Sequence, residues 1–398
     1  MLYILVDDIV KAGFFSCFKR NNNVIFITNK FSCFLYLKIN TCNKVIFLFR
    51  PNNLKCDGDI NAERLSKTIS VLNKRQTLDD ARKNYKAVNR ALQSKLSGMI
   101  NNSDLLIVFN GNHATAIATV DFFTGFRAKV LYAEISNLPN KMVFDPEGVN
   151  AQSILYRKPE VLDTLEEVSD TQHAEWINAY IAYKENPIPQ SKISIPTYFM
   201  LAIDDVFTRI FKIFIKEDSL SFVDKCRMFR TKFKSRKILN FAANADLKEK
   251  YVFFPTQVTS DTQLRINSDI DNINAINVIL EREEKISIYV KIHPAESNLD
   301  TISYFIELAK EKRIILVNNN TIELIKNAQR VYTINSTVGL EALIFEKDLI
   351  VLGRAIYSNF DSRRLKIYIH RYLMDFNFFG KNKLSENHFI KLSKLSEL

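Results

Sequence analysis

Cysteine is scarce in this chain, with five in 398 residues, at positions 17, 33, 42, 56 and 226. None form a CxxC pair and the number is odd, which argues against a disulfide framework and for reduced thiols in a cytoplasmic protein. No cluster of cysteine and histidine has zinc-ligand spacing. Long apolar runs are missing too, since none approaches the ~20 residues a transmembrane helix needs. The opening MLYILVDD has no basic lead and no small-residue cleavage site, so it reads as a first strand and not a signal peptide. There is no P-loop, no GxGxxG and no GxSxG, and no internal repeat or low-complexity tract.

What is present is a chain 47% hydrophobic, ample for two domains with separate cores. The net charge of +11 is unevenly spread. Between Arg209 and Lys237 the chain carries ten basic residues against three acidic, interleaved with phenylalanines from Phe207 to Phe233. Basic residues mixed with aromatics suit an anionic surface, either membrane head groups or nucleic acid, or else form a plain solvated helical face. The membrane surface is preferred here to nucleic acid.

The first part of the chain alternates strands and helices. LYILV, NVIFIT, KVIFLF, LLIVF and KVLYAE are strand-like, and one long polar helix is expected over 61–100, where Leu65, Ile69 and Leu72 recur at helical spacing. Residues 161–245 are charged and helical in period, broken by the proline-rich ENPIPQSKISIP, and read as a helical basic insertion. From Lys250 the alternation returns in KYVFFP, KISIYVKI, RIILV, RVYTI and LIVLG, with helices between them. The tail from Asp361 reads as helices. The expected fold is α/β, with two Rossmann-like domains (1–160 and 246–360) facing across a cleft. That is the GT-B architecture of nucleotide-sugar glycosyltransferases.

Ligands of parallel α/β sheets sit at the carboxyl ends of the strands. Three strand ends in the second domain carry polar clusters. KYVFFP runs into TQVTSDTQ, with Gln257, Asp261 and Gln263. SIYVKI carries Lys291 and ends in His293-Pro294-Ala295-Glu296. RVYTI ends in Asn335-Ser336-Thr337 and opens a helix holding Gly339 and Glu341. A helix start favours phosphate; Glu341 is placed to accept from ribose hydroxyls, and Gly339 to let a ligand approach. Lys291 and His293, two apart, are expected on one side of their strand. Asp261 is the foremost carboxylate, with Glu134 expected opposite it and Asp145 or Glu147 as substitutes for Glu134. For each, an ordinary cap or turn role stands as the alternative. Asp269-Ile270-Asp271 spells DxD but opens a helix, where acidic residues belong anyway. Asp7-Asp8 and Asp204-Asp205 read as equally plain.

FFPTQVTSDTQLRINSD, VKIHPAE and NSTVGLEALIFEKDLIVLGRAIYS resemble the bacterial capsule polysaccharide synthesis family, which includes β-Kdo transferases of capsule linkers and O-antigens. AEISNLPNKMVFDPEGVNAQS resembles it too, so the likeness runs from about Leu105 to Tyr357. It implies a retaining, metal-independent GT-B transferase with CMP-Kdo as donor substrate and no cofactor, acting in capsule or lipopolysaccharide assembly. By the same resemblance Asp261 is the nucleophile that forms a glycosyl-enzyme adduct and Glu134 the acid/base. His293, Ser336 and Thr337 are expected at CMP, and Lys291 or Arg265 beside the sugar acid. The implied partners are a CMP-sugar, a glycan acceptor (lipid-linked or free) and the inner face of the cytoplasmic membrane, with no nucleic acid. Competing readings are a sialyl-type or other nonulosonic acid transferase, a CDP-glycerol enzyme, and a non-enzymatic basic nucleic-acid-binding protein.

Overall fold

A computed structural model describes the chain apart from residues 19–22, 53–60, 137, 186–199, 201–203, 205, 209, 212, 216–241 and 381. The ten basic residues from Arg209 to Lys237 therefore lie outside the described residues. Strands β1 (Leu2–Leu5), β2 (Val24–Thr28), β3 (Lys44–Phe47), β4 (Leu105–Phe109), β5 (Lys129–Ile135) and β6 (Lys141–Asp145) come from the first part of the chain. Later come β7 (Tyr251–Pro255), β8 (Ser287–Lys291), β9 (Ile315–Leu316), β10 (Arg330–Thr333), β11 (Asp348–Val351) and β12 (Met374–Asp375).

Two compact units result, each Rossmann-like. The first comprises Met1–Val149, Pro187–Ser219 and His370–Leu398; the second comprises Asn150–Asn186 and Leu220–Ile369. The first sheet runs β12-β6-β5-β4-β1-β2-β3, parallel from β3 to β5, with β6 and β12 antiparallel at one edge. The second runs β11-β10-β7-β8-β9 and is parallel throughout. Within each unit, the five parallel strands thus follow the doubly wound order 3-2-1-4-5.

Burial on both faces explains why these strands are nearly unbroken apolar runs. Every residue of β1, β2 and β7 is buried. In the second unit, Val252, Phe254, Ile288 and Val290 pack on one face while Tyr251, Phe253 and Tyr289 pack on the other, the period of two that a pleat imposes.

Four expectations are corrected. The stretch 61–100 is three helices, Ala62–Ser66, Ile69–Leu72 and Leu78–Leu96. Lys74 adopts a left-handed φ of 55°, and a capping box between Thr77 and Asp80 starts the last helix afresh. The strands of the first sheet extend beyond the five runs read from LYILV to KVLYAE, because β6 folds back on β5 and β12 adds to β6. The tail consequently returns to the first unit from His370, and seats Phe376 against Phe14 and Phe144. Finally, Asp170–Glu185, expected in a separate insertion, belongs to the second unit. Among the described residues no helix is long and apolar enough to cross a membrane.

Candidate functional site

The carboxyl ends of β7, β8 and β10 assemble in the second unit, but their polar groups bond largely to one another. Gln257 and Asn335 pair reciprocally: Gln257 Nε2 donates to Asn335 Oδ1 at 2.8 Å, and the Asn335 backbone N–H donates to Gln257 Oε1 at 2.9 Å. Asn272 clips the Gln257 backbone from the other side, accepting from its N–H and donating to its carbonyl. Asn335 Nδ2 donates onward to the carbonyls of Gln263 and Asn267. Both residues, expected at the nucleotide, hold β7 and β10 together.

Glu341 is also reassigned. It is buried at 3% exposure, accepting from Tyr180 Oη and Lys184 Nζ, both at 2.7 Å. A carboxylate engaged this way anchors the Asp170–Glu185 helix and is not presented to ribose. Gly339 makes room for the Tyr357 ring, which a Cβ would strike, and not for a ligand. Tyr357 Oη in turn donates to the Ser336 carbonyl. Ser336 caps the helix Thr337–Ile344, its Oγ accepting from Val338 N–H at 3.2 Å, while its carbonyl accepts from Gly339 N–H. Thr337 is half-buried at the first helical position.

Lys291 and His293 do not act as a pair along one strand side, because β8 ends at Lys291. Lys291 Nζ donates to the Asn319 carbonyl at 2.8 Å and to Thr321 Oγ1 at 3.0 Å, tying β8 to the next loop. Burial lowers its pKa. His293 lies in the following turn and is exposed. Its backbone N–H donates to Thr256 Oγ1, and its Nδ1 accepts from Ala295 N–H at 3.0 Å. Although the residue reaches the surface, partial burial of its ring lowers the pKa below the usual 6.5; Asp261 and Glu296 pull it upward and Lys291 adds to the lowering. Glu296 itself is buried and locks the turn, accepting from Thr259, Ser297 and Asn298.

Asp261 is the N-cap of Thr262–Asn267, accepting from Gln263 N–H at 2.8 Å, and its charge reaches His293. Arg265 sits exposed on the last turn of the same short helix. Of the DxD residues, Asp269 pairs with Arg354 and Asp271 caps Asn272–Arg282, as acidic residues at a helix start do.

In the first unit Glu134 is half-buried on β5, its Oε1 accepting from Ile135 N–H and its charge acting on Lys11. Asp145 does not substitute for it. That carboxylate is fully buried, taken by Tyr372 Oη and by the N–H groups of Glu147 and Gly148. The residue that sequence reasoning passed over is Asp7. Its neighbour Asp8 is a plain helix cap, but Asp7 forms a 2.7 Å ion pair with Lys11 just past β1. Burial alone would raise its carboxyl, but Lys11, His113 and Lys30 hold it below the ordinary range. The signal was available: an acid and a base at i,i+4 directly after a first strand.

Residues 114–360 match the family described as capsule polysaccharide biosynthesis protein. The chain is 36% identical over 119 residues to Protein FixF of Sinorhizobium fredii, covering 28% of this chain and 29% of that one. It is 34% identical over 139 residues to the capsule polysaccharide export protein KpsS of Escherichia coli, covering 32% of this chain and 36% of that one. The matched stretches thus span about a third of each relative's length. Among solved structures it is similar to the KpsC β-Kdo 2,7 transferase of Thermosulfurimonas dismutans, with 17% identity, 78% and 89% coverage and a TM-score of 0.39. It is likewise similar to UDP-GlcNAc 2-epimerase of Methanocaldococcus jannaschii, with 14% identity, 99% coverage of each chain and a TM-score of 0.31.

Proposed function

The chain belongs to the family of capsule polysaccharide biosynthesis proteins, and from that premise we propose that it is a retaining glycosyltransferase moving Kdo from CMP-Kdo to a glycan acceptor. The observation that carries this reading is that Asp261, past the end of β7, lies close enough to His293, past the end of β8, for its charge to act on the ring. Because His293 Nδ1 accepts a hydrogen bond, the proton of the neutral ring is assigned to Nε2. Its lowered pKa keeps the ring neutral near pH 7, a fixed donor for the phosphate of departing CMP. The helix start at Ser336 and Thr337 adds a positive dipole end for the same phosphate.

Asp261 attacks the anomeric carbon as the bond to the CMP phosphate breaks, forming a carboxylate–sugar ester. The acceptor hydroxyl then attacks the same carbon as Asp261 leaves, its proton passing to solvent. Arg265 is the cation proposed for the sugar carboxylate. No step uses a metal.

Asp261→Asn tests the reading cleanly, because asparagine caps a helix as well as aspartate. The variant is expected to fold, to retain thermal stabilisation by CMP and to lose turnover of CMP-Kdo. A wild-type rate would remove Asp261 as nucleophile. The same residues suit another nonulosonic acid donor, and a rate comparison of CMP-Kdo with CMP-Neu5Ac separates the two.

A contact with the anionic inner face of the cytoplasmic membrane belongs to the same proposal. Val206, Ile210, Phe211 and Ile213 are exposed in the first unit, near in sequence to the basic stretch. Salt-sensitive sedimentation with phosphatidylglycerol vesicles is expected, and neutralising Arg227, Arg230, Lys232 and Lys234 should weaken it. Unchanged binding by that variant would exclude the role.

A further inference from the structure

In a doubly wound sheet the strand order reverses between the first and fourth strands, and ligands bind outside the strand ends there. In the first unit that place lies between β1 and β4. Past β1 stands the Asp7–Lys11 pair, whose side chains are 9% and 14% exposed, with Lys11 Nζ over the Phe109 ring at 4.6 Å. Past β4 the chain turns through two left-handed residues, Asn110 and Gly111, and delivers His113 to the start of Ala114–Gly125. Past β2 stands Asn29, 1% exposed, its Nδ2 donating to Thr115 Oγ1 at 3.3 Å.

Two buried atoms in this cluster have no hydrogen-bond partner among the described residues, Asn29 Oδ1 and His113 Nδ1. Burying an ion pair is likewise no route to stability, because apolar residues in its place often do as well or better. Unsatisfied polar atoms and a buried charge pair at a ligand-binding position together mark a site and not a core.

We infer that the carboxyl ends of β1, β2 and β4 form a sugar-binding site in which Asn29 Oδ1 and His113 Nδ1 accept hydrogen bonds from ligand hydroxyls, beside the fixed Asp7–Lys11 pair. The charges select the ligand class. Asp7, Asp8 and Glu134 surround Lys11 and outnumber it with Lys30, which disfavours a phosphate and favours neutral hydroxyls. Only in naming this sugar the glycan acceptor does the inference rest on the proposed transferase activity.

The test uses the full chain and free galactose, N-acetylglucosamine and Kdo as probes. Ring nitrogens of His113, assigned against His113→Gln, are followed by long-range ¹H–¹⁵N correlation while saturation transfer reports binding. At least one sugar is expected to bind and to shift the His113 signals. Asn29→Ala and His113→Gln should each weaken that sugar by up to about tenfold, the loss of one hydrogen bond. Stabilisation by CMP should be unchanged in both variants. If Asn29→Ala does not fold, Asn29→Ser and His113→Gln decide. Sugars that leave the His113 nitrogens unmoved would show ordered water only and overturn the site, as would binding indifferent to both substitutions. If sugar binds as described but CMP stabilises no form of the protein, the site stands and the transferase reading falls.

Discussion

The two units share a strand order but treat the place where that order reverses in opposite ways. In the second unit the position between β7 and β10 is closed by Gln257 and Asn335, each satisfying the other, with Asn272 behind them. In the first unit the equivalent position, between β1 and β4, holds a buried ion pair and two polar atoms without partners among the described residues. Identical topology therefore does not mean identical use. Residues that announce themselves in sequence can be the clamps of a sheet, while a plain-looking VDDIVK carries the unbalanced chemistry.

The difference can be broken first where the energy is largest. Asp7→Asn or Lys11→Met alone leaves one charge buried without its partner and should cost about 3–5 kcal/mol in urea unfolding. The double substitution should cost less than either single one. Single effects under ~1 kcal/mol would mean that the pair is effectively solvated. The sign with pH follows from the lowered Asp7 pKa: its contribution is present above the unfolded carboxylate range and is lost as pH falls through the folded value.

The clamp comes next. Gln257→Ala strands the Asn335 amide and should destabilise by about 1–3 kcal/mol. The partial repair Gln257→Glu keeps one acceptor and should fall between the two. A stability unchanged by Gln257→Ala, together with a raised KM for the donor, would instead return Gln257 to the ligand. The smallest effect concerns His293. Its pKa is lowered in the folded chain, so below pH 6.5 the unfolded chain takes up the proton first and stability declines as pH falls. An NMR titration of the ring should place its midpoint below 6.5; a midpoint above it would make the ring a cation and change its proposed role at the phosphate.

Much of the fold was legible because buried parallel strands write themselves as apolar runs, and the three polar strand ends stand where LYILV-type runs stop. Their roles were harder to read. Gln257 and Asn335 are 78 residues apart, and nothing local says that each is the other's partner. Glu341 likewise looked free until Tyr180 and Lys184 arrived on a helix some 160 residues earlier in the chain. The break in the 61–100 helix was legible in Thr77 and Asp80, a capping-box signature outweighed by the apolar spacing of Leu65, Ile69 and Leu72. β12 was not, since two residues make no pattern. Asp7 was visible but ambiguous, because an aspartate after a strand is usually a cap, as Asp8 is.

The pairing of Met374 with Met142 has a consequence for how the protein is made. The unit that leaves the ribosome first is the last to be finished. At about 5–20 residues per second, roughly ten to fifty seconds separate synthesis of β6 from arrival of the strand that covers its edge. During that interval β6 offers unpaired backbone groups, and Phe14 and Phe144 lack the Phe376 ring. Until the residues from His370 onward emerge, that edge and those rings stay uncovered, and a ribosome stalled before them is expected to leave an aggregation-prone fragment.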